Sequence, residues 1–165
     1  MPKREHRYEV TVQWTGNEGS GTASYRGYSR SHEISSPSAP DKPAIPGSSD
    51  PAFRGDVNRW NPEELYVAAL SACHKLWFLH LCVGAGVIVE SYVDHAEGVM
   101  IEDETGGGLF ASVTLRPEIC ISRAADIEKA LALHHEAHAK CFIANSVKTP
   151  VNVEPVISAS DRLAD

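Results

Sequence analysis

The sequence predicts an α+β fold, and three patterns lead to that class. Apolar residues alternate with polar ones near the N-terminus, a long apolar segment follows a helix cap, and two β-branched segments flank a glycine turn. The predicted order is two strands, a helix, two strands, a second helix and a closing strand, which is typical of an α+β domain. The chain has 165 residues, about the length of one domain. We therefore expect a single domain over residues 1–165.

The first two predicted strands flank a glycine-rich turn. Residues 8–14 alternate apolar and polar side chains, the pattern of a half-buried strand. Residues 16–21 form the turn, and residues 22–28 are expected to return as the second strand. Five prolines lie between residues 35 and 51, so we expect residues 35–60 to form an irregular surface loop. Long ordered loops often carry function.

The first predicted helix begins with a capping box. Asn61 suits the N-cap, Pro62 suits the first helical position, and Glu64 completes the box. From Leu65 to Val83, apolar residues occupy nearly every face of the helix. This pattern predicts a helix that other elements surround on all sides.

The same apolar segment is long enough to span a bilayer. His74, Lys75 and His80 near its middle would make a membrane span costly, so we interpret it as a core helix. Residues 1–7 are charged and lead into a strand pattern, unlike the apolar segment of a signal peptide. We therefore expect a cytoplasmic protein.

The second half of the chain predicts a hairpin, a helix and a strand. Residues 87–101 and 109–121 are rich in β-branched side chains and flank an acidic turn that ends in three glycines, which predicts a long hairpin. Residues 126–140 are expected to form the second helix, and Val151, Val153 and Val156 the closing strand. One stripe of that helix is expected to hold Ile127, Leu131, His134 and His138.

Composition excludes several classes of protein. The chain has 15 Lys and Arg against 22 Asp and Glu, a net charge of −7, with 42% hydrophobic residues. The chain is therefore too apolar and too weakly charged to be wholly disordered. The acidic balance, with no basic run, argues against a dedicated nucleic-acid binder. Four cysteines are too few for a small disulfide scaffold.

The four cysteines and a histidine cluster are the candidates for chemistry. Cys82 and Cys120 are interpreted as packing residues, since free cysteine often behaves as a small hydrophobe. His134, His138 and Cys141 lie on successive turns of the second helix, a spacing that helical zinc sites use. The order His-His-Glu-x-His does not match the zincin motif, so a metal site is only an alternative interpretation.

Three motifs together resemble one known family. Asn-Pro-Glu-Glu-Leu at 61–65, Ser-Ala-Cys at 71–73, and Ala-His-x-x-Cys at 137–141 resemble the OsmC/Ohr family, the osmotically inducible protein C and organic hydroperoxide resistance proteins. The resemblance covers most of the chain. It implies an OsmC-like fold in which antiparallel β-sheets wrap around a long buried central helix. It also implies an intertwined homodimer with active sites at the interface.

The resemblance implies a thiol-dependent peroxidase. By motif position, Cys73 is the peroxidatic cysteine, Cys141 the resolving cysteine and Glu63 the glutamate that holds an activating arginine. Arg54 best matches that arginine, and three others remain candidates: Arg26, Arg30 and Arg59. The implied substrates are organic hydroperoxides, with hydrogen peroxide as a second candidate. A dithiol reductant of the lipoyl type or another thiol is implied, and no metal, flavin or haem.

Spacing adds one inference about the site. Glu63 and Cys73 lie ten residues apart on one helix, which corresponds to about 15 Å and different sides. We therefore expect Glu63 to serve Cys73 of a partner chain. The apolar residues around Cys73, namely Leu70, Leu76 and Trp77, favour a bulky alkyl hydroperoxide.

One departure from the family pattern affects the expected site, and two alternative functions remain open. Phe142 stands where the family usually has a proline after its second cysteine, which affects the expected position of Cys141. A non-enzymatic module of the same fold that binds a hydrophobic ligand is one alternative to a peroxidase. A metal-binding protein that uses the histidines and Cys141 is the other.

Overall fold

The computed structural model describes residues 4–161, which form a mixed α+β structure with three small sheets and two helices. Residues 1–3 and 162–165 of the predicted domain lie outside the described part. The chain falls into two compact units, Met1–Leu65 and Tyr66–Asp165. A single domain over residues 1–165 stays a prediction.

The first unit holds a three-stranded antiparallel sheet. Its strands are β1 (Thr11–Trp14), β2 (His32–Ser35) and β3 (Ile45–Gly47), in the order β1-β2-β3. The prediction that β1 is half-buried is wrong for the single chain, because all four of its residues are exposed.

The second strand lies later in the chain than predicted. Residues 22–28 form turns and bends, and Trp14 instead pairs with His32. The reason is that the loop between the two strands is longer than predicted. The Ser29 amide donates to the Gly16 carbonyl at 2.9 Å, and the Trp14 indole donates to the Ser29 carbonyl at 2.8 Å. These hydrogen bonds close the loop beyond residue 28, so the strand resumes only afterwards.

The predicted irregular loop, residues 35–60, contains one short strand. β3 pairs with β2, with Pro46 opposite Glu33. A proline is tolerated there because β3 is an edge strand, and on its outer side Pro46 uses its carbonyl, which accepts from the Trp60 amide at 3.1 Å. A single turn of 3₁₀ helix follows at Pro51–Phe53, and the rest of the segment is irregular as predicted, apart from an isolated bridge at Trp60.

Helix α1 (Pro62–Ala85) begins with the predicted capping box. The Glu64 amide donates to Asn61 Oδ1 at 2.8 Å, and the Asn61 amide donates to Glu64 Oε2 at 3.1 Å. The helix is unbroken to Ala85, so the ten-residue interval between Glu63 and Cys73 spans about 15 Å of axis, as predicted.

Only one face of α1 is covered by its own chain. Its buried residues recur every four positions: Leu70, His74, Phe78 and Cys82. The prediction that every face is covered is therefore wrong for the single chain. On the opposite face Leu76 and Val83 are 63% and 82% exposed, beside the exposed Ala68 and Ala72.

By length and composition α1 could cross a membrane, since an 18-residue window has a mean hydropathy of 1.4. Its buried stripe, however, packs as a core helix does. Phe78 and Cys82 join a cluster with Ile119 and Ile121 of one strand and with two alanines of the second helix.

The predicted hairpin is present, but each of its arms is split. Its four strands are β4 (Val89–Asp94), β5 (Glu97–Glu102), β6 (Gly108–Leu115) and β7 (Pro117–Ile121). β4 pairs with β7 and β5 pairs with β6, both antiparallel. The arms break where the Asp94 side chain accepts a hydrogen bond from the Arg116 amide at 2.7 Å. The two halves therefore belong to separate sheets.

The predicted closing strand is two strands. β8 (Val151–Val153) adds in parallel to β6, and β9 (Val156–Ala159) adds in parallel to β7. Pro155 interrupts the valine run between them, so the chain passes from one sheet to the other. The sheet orders are β4-β7-β9 and β5-β6-β8.

The second helix, α2 (Ile127–Lys140), matches its predicted extent within one residue. Its buried residues are Ala130, His134 and Ala137. Leu131, His134 and His138 of the predicted stripe lie on one surface of α2, where Leu131 is 37% exposed. Alanines are buried instead because α2 packs closely against the core.

Candidate functional site

The structure brings Cys73 and Cys141 together, although they are 68 residues apart in sequence. Cys73 lies mid-way along α1 and is half-buried, whereas Cys141 is the C-cap residue of α2 and is buried. Both are free thiols. Helices α1 and α2 therefore position one cysteine each for reaction with the other.

The surroundings of Cys141 favour its protonated form. Burial raises the pKa of the Cys141 thiol to about 11, and the interaction with Cys73 adds to the rise. The Ala144 amide donates to Cys141 Sγ at 3.4 Å, which opposes the rise. Cys141 is therefore a thiol at neutral pH, and its nucleophilic thiolate is a minor form.

Aromatic side chains lie beside the cysteine pair. Trp77 follows Cys73 by one helical turn, and Phe142 directly follows Cys141. Their ring centroids are 5.6 Å apart in an edge-to-face contact. Lys140 places its ammonium 5.8 Å from the Trp77 centroid. Phe142 therefore leaves Cys141 next to Cys73 and adds an apolar wall.

The three apolar residues predicted around Cys73 differ in solvent exposure. Leu70 is fully buried, Trp77 is half-buried and Leu76 is exposed. Leu70 therefore supports the core of the second unit, whereas Leu76 and Trp77 remain available to a partner or a substrate.

Glu63 and Glu64 have different surroundings. Glu64 is engaged in the capping box. One carboxylate oxygen of Glu63, Oε2, is shielded from solvent and has no hydrogen-bond partner among the described residues. A shielded, unpartnered carboxylate oxygen is costly, and a guanidinium group is a cation that can pair with such an oxygen.

Arg54 is the candidate arginine with unusual backbone geometry. Its φ of 66° and ψ of 30° are left-handed, a conformation that costs an L-residue about 1–2 kcal/mol. Such strain is concentrated at functional sites. Asp50 holds the turn, because its side chain accepts from the Ala52 amide at 2.7 Å and its carbonyl from the Gly55 amide at 3.0 Å.

Two of the other candidate arginines are already engaged within the first unit. Arg30 donates to the carbonyls of Tyr28 and Tyr25 at 2.7 and 2.8 Å. Arg59 forms an ion pair with Glu33 at 3.0 Å. Within residues 4–161, Arg54 and Arg26 form no ion pair. Arg54 therefore remains the first candidate and Arg26 the second.

The family model for OsmC-like proteins matches residues 55–156. That range covers more than half of the chain and includes Glu63, Cys73 and Cys141. This chain belongs to the OsmC-like protein family. Arg54 lies one residue before the matched range, so its candidacy rests on its backbone geometry and on its lack of an ion pair among the described residues.

Solved structures agree with this assignment. An OsmC-like protein of unknown function from Vibrio cholerae is 31% identical, with a TM-score of 0.82 over 92% of this chain and all of that one. An organic hydroperoxide resistance protein from Elizabethkingia anophelis is 19% identical, with a TM-score of 0.68 over 96% of this chain and 100% of that one.

The organic hydroperoxide resistance protein OhrB of Bacillus subtilis is 21% identical, with a TM-score of 0.61 over 93% of this chain and 98% of that one. Below 25% identity these two likenesses show the fold alone. No curated protein matches the sequence significantly. The OsmC-like fold is thus shown for this chain.

The structure of this OsmC-like protein also contains a histidine pair that the sequence did not predict. His74 Nε2 and His134 Nδ1 lie 3.0 Å apart in a hydrogen bond, and both residues are almost fully buried. Burial lowers the pKa of His74 to about 4 and that of His134 to about 3. His138 also lowers the pKa of His74, and Asp94 of β4 opposes this effect. The sequence placed His134 on an apolar stripe but gave no sign of its partner.

The histidines and cysteines outside this pair were also candidates for a metal site. Within residues 4–161, no group of three or more His, Cys, Asp or Glu side chains is placed to hold a metal ion. Cys82 is buried in the core beside Phe78, as the packing interpretation predicted. Cys120 is half-buried, with its Sγ 3.7 Å from Glu90 Oε2.

Proposed function

We propose that this OsmC-like protein is a thiol-dependent peroxidase that reduces organic hydroperoxides. The observation that carries the proposal is the juxtaposition of two free thiols, Cys73 on α1 and Cys141 at the end of α2. An accessible thiol beside a second, shielded one is the arrangement that a sulfenic acid and its resolution require. Relatives with the same fold are named organic hydroperoxide resistance proteins.

The first step is oxidation of Cys73. Its thiolate attacks one peroxide oxygen, so that the S–O bond forms as the O–O bond breaks. The electron pair leaves with the second oxygen as an alkoxide, which takes up a proton and departs as the alcohol. Cys73 is then a sulfenic acid.

The second step forms a disulfide. The Cys141 thiolate attacks the sulfur of oxidised Cys73, the S–S bond forms, and hydroxide leaves with a proton as water. A dithiol reductant then restores both thiols by exchange through a mixed disulfide. A lipoyl-type dithiol or another small thiol of the cytoplasm fits this role.

Arg54 and Glu63 are proposed to activate Cys73 from a partner chain. A fixed positive charge lowers the pKa of a nearby thiol, and arginine can form a bidentate pair with a carboxylate. The unpartnered Oε2 of Glu63 supports a missing arginine contact. The length of helix between Glu63 and Cys73 supports a site shared by two chains.

A homodimer is proposed because two apolar surfaces remain uncovered. One is the stripe of α1 that contains Leu76 and Val83, and the other is β1 with the adjacent Tyr8, which is 90% exposed. Contiguous apolar surface of this kind marks an interface. In an intertwined dimer the partner would cover both.

A bulky alkyl hydroperoxide is the proposed substrate, with hydrogen peroxide as a second candidate. The half-buried Trp77 and the exposed Phe142 form the aromatic wall beside the cysteine pair. Binding an alkyl chain against these rings removes apolar surface from water. Hydrogen peroxide gains nothing from that contact, so it is expected to react more slowly.

Intact-mass analysis during titration with cumene hydroperoxide tests the reaction. The wild-type chain should lose two hydrogens and form a Cys73–Cys141 disulfide, and Cys141→Ser should instead accumulate oxidised Cys73. Cys120→Ser is the matched control, expected to behave as the wild type. A wild-type chain whose thiols survive micromolar hydroperoxide would contradict the proposal and favour the non-enzymatic ligand-binding alternative.

Subunit complementation tests the shared site. Cys73→Ser and Glu63→Gln chains should each be inactive as homodimers. A mixed dimer keeps one site with an intact Cys73 and a partner's intact Glu63, so re-associated equal mixtures should recover about a quarter of wild-type activity. Absence of recovery in a mixture proven to contain heterodimers would place Glu63 and Cys73 of one chain in the same site.

A further inference from the structure

We propose that the hydrogen bond between His74 and His134 sets the register of α2 along α1 and thereby positions Cys141 for bonding to Cys73. The two histidines are positioning residues in this view, and they touch neither substrate nor reacting sulfur. The inference deepens the proposed peroxidase function, on which its catalytic meaning rests. The positioning of Cys141 beside Cys73 can be tested without any peroxidase activity.

The pair lies next to both cysteines along the chain. His74 directly follows Cys73 on α1. His134 precedes Cys141 by seven residues, two turns of α2, which places them on the same face of that helix about 10 Å apart along the axis. Any slip of His134 relative to His74 therefore moves Cys141 relative to Cys73 by the same amount.

His134 is held between two successive turns of α1. Its Nδ1 is hydrogen-bonded to His74 Nε2 at 3.0 Å, and its ring stacks on Phe78 with centroids 3.9 Å apart and planes 12° apart. His74 and Phe78 are one helical turn apart on the buried stripe of α1. The imidazole of His134 therefore fits a single position along the helix axis.

The other buried residues of α2 do little to fix its position along α1. They are Ala130 and Ala137, both fully buried. Methyl groups pack without direction and tolerate sliding, because apolar burial depends on area rather than on orientation. A hydrogen bond weakens steeply when its angle or length changes. Ile127 and Leu133 of α2 also pack against this core but remain partly exposed. His134 is the buried α2 side chain with a directional contact to α1.

The histidine pair carries a free-energy cost that burial of its rings does not explain. His74 Nδ1 and His134 Nε2 have no hydrogen-bond partner among the described residues. Leaving buried polar atoms unsatisfied is unfavourable. An apolar pair of similar volume would avoid that cost but would lack the directional contact.

The equilibrium of the cysteine pair with glutathione tests the inference, because it needs no peroxide. Each Cys73–Cys141 bond that forms consumes one glutathione disulfide and releases two glutathione thiols. The position of this equilibrium gives the effective concentration of Cys141 at Cys73. Alkylation of the free thiols and peptide mass analysis separate this bond from reactions of Cys82 and Cys120.

Removing one histidine should lower the effective concentration. Because truncation removes the hydrogen bond from the partner nitrogen, His134→Leu and His74→Leu should each lower the effective concentration about tenfold. His74→Gln and His134→Asn keep an amide atom where Nε2 and Nδ1 stood. These two variants should stay within about twofold of the wild type.

Ala137→Gly is the matched control. It removes a buried methyl from the same face of α2 and lowers helix stability by about 1 kcal/mol, yet it leaves the histidine pair intact. Its effective concentration should stay near the wild-type value. Equal loss in Ala137→Gly, or no loss in folded His134→Leu, would overturn the inference.

Failure of the register proposal can be distinguished from failure of the peroxidase proposal. If the wild-type chain ignores hydroperoxide while the histidine variants shift the glutathione equilibrium as expected, the peroxidase proposal fails and the register proposal stands. If the wild-type chain reduces hydroperoxide but the leucine variants keep the wild-type equilibrium, the register proposal is overturned.

Discussion

At the scale of single residues, the proposed function gives the two cysteines unequal tasks. Cys73 is half-buried and accessible to a substrate, whereas Cys141 is shielded and has its pKa raised to about 11 by burial and by Cys73. A thiol that stays protonated resists direct oxidation, since the thiolate is the reactive form. The difference in burial therefore favours oxidation at Cys73 and resolution at Cys141.

Resolution should be limited by the protonation state of Cys141. Its folded-state pKa of about 11 lies above neutral pH, so its thiolate fraction rises about tenfold per pH unit below that value. The rate at which dimedone-reactive Cys73 disappears after a single turnover should rise accordingly between pH 7 and 10. A flat rate over this range would show that Cys141 is already ionised when it attacks.

Arg54 should prove functional rather than structural. Arg54→Gly relieves the left-handed strain of about 1–2 kcal/mol but adds unfolded-state freedom worth up to about 1 kcal/mol. Its free energy of unfolding should therefore be unchanged or slightly raised. The rate of Cys73 oxidation should fall about 10²–10³-fold, the usual effect of losing a preorganised charge.

Arg54→Lys is the matched variant for that experiment. It keeps the charge and the backbone strain but loses the bidentate geometry, so its rate should lie between those of the wild type and Arg54→Gly. If Arg54→Gly oxidises Cys73 at the wild-type rate, the same pair of substitutions at Arg26 becomes the next test.

At the scale of elements, α1 and α2 carry both the cysteine pair and the histidine pair. The α1 stripe supplies His74 and Phe78, and the α2 stripe supplies His134 between two alanines. One helix–helix contact therefore serves packing and positions the thiols. The same contact is expected to make the fold sensitive to acid, because it buries two imidazoles whose pKa values burial lowers.

Stability should fall as the pH drops below about 6.5. His74 and His134 titrate near 6.5 when unfolded but near 4 and 3 when folded, so the unfolded chain binds more protons in this window. The free energy of unfolding should then decrease by up to about 2.7 kcal/mol per pH unit, the value for two groups. Urea unfolding at several pH values and one fixed protein concentration measures this slope.

The double variant His74→Leu/His134→Leu is the control for the acid effect. It removes both titrating groups and leaves an apolar pair, so its stability should depend much less on pH between 6.5 and 4. An unchanged slope in this variant would assign the acid sensitivity to other groups.

At the scale of the whole molecule, the single chain leaves apolar surface that a partner would cover. The stripe of α1 with Leu76 and Val83 is free of charged residues. Burying such surface drives association. A proposed dimer would explain why an apolar helix of this length has one covered face.

A charge on this stripe should separate the proposed dimer. Leu76→Lys would place an ammonium in the interface, where the desolvation penalty is several kcal/mol per ion. Light scattering should show a monomer, and Cys73 oxidation by hydroperoxide should be lost with it. Leu131→Lys, on an exposed leucine of α2, should keep both the dimer and the activity. A monomeric Leu76→Lys that retains full activity would contradict the shared site.

What the sequence determined by itself was mostly local. The capping box at Asn61 and Glu64, the extent of α2 and the hairpin follow from contacts between residues a few positions apart or joined by one turn. The proposed roles of Cys73 and Cys141 came from motif resemblance, because either cysteine alone is unremarkable.

Only the tertiary structure decided which distant residues meet. The parallel additions of β8 and β9, the pairing of β3, and the contact of His74 with His134 join segments that a local pattern treats independently. The uncovered stripe of α1 is the clearest case. Its composition predicts burial, but whether the same chain or another supplies the cover depends on how the remaining elements pack.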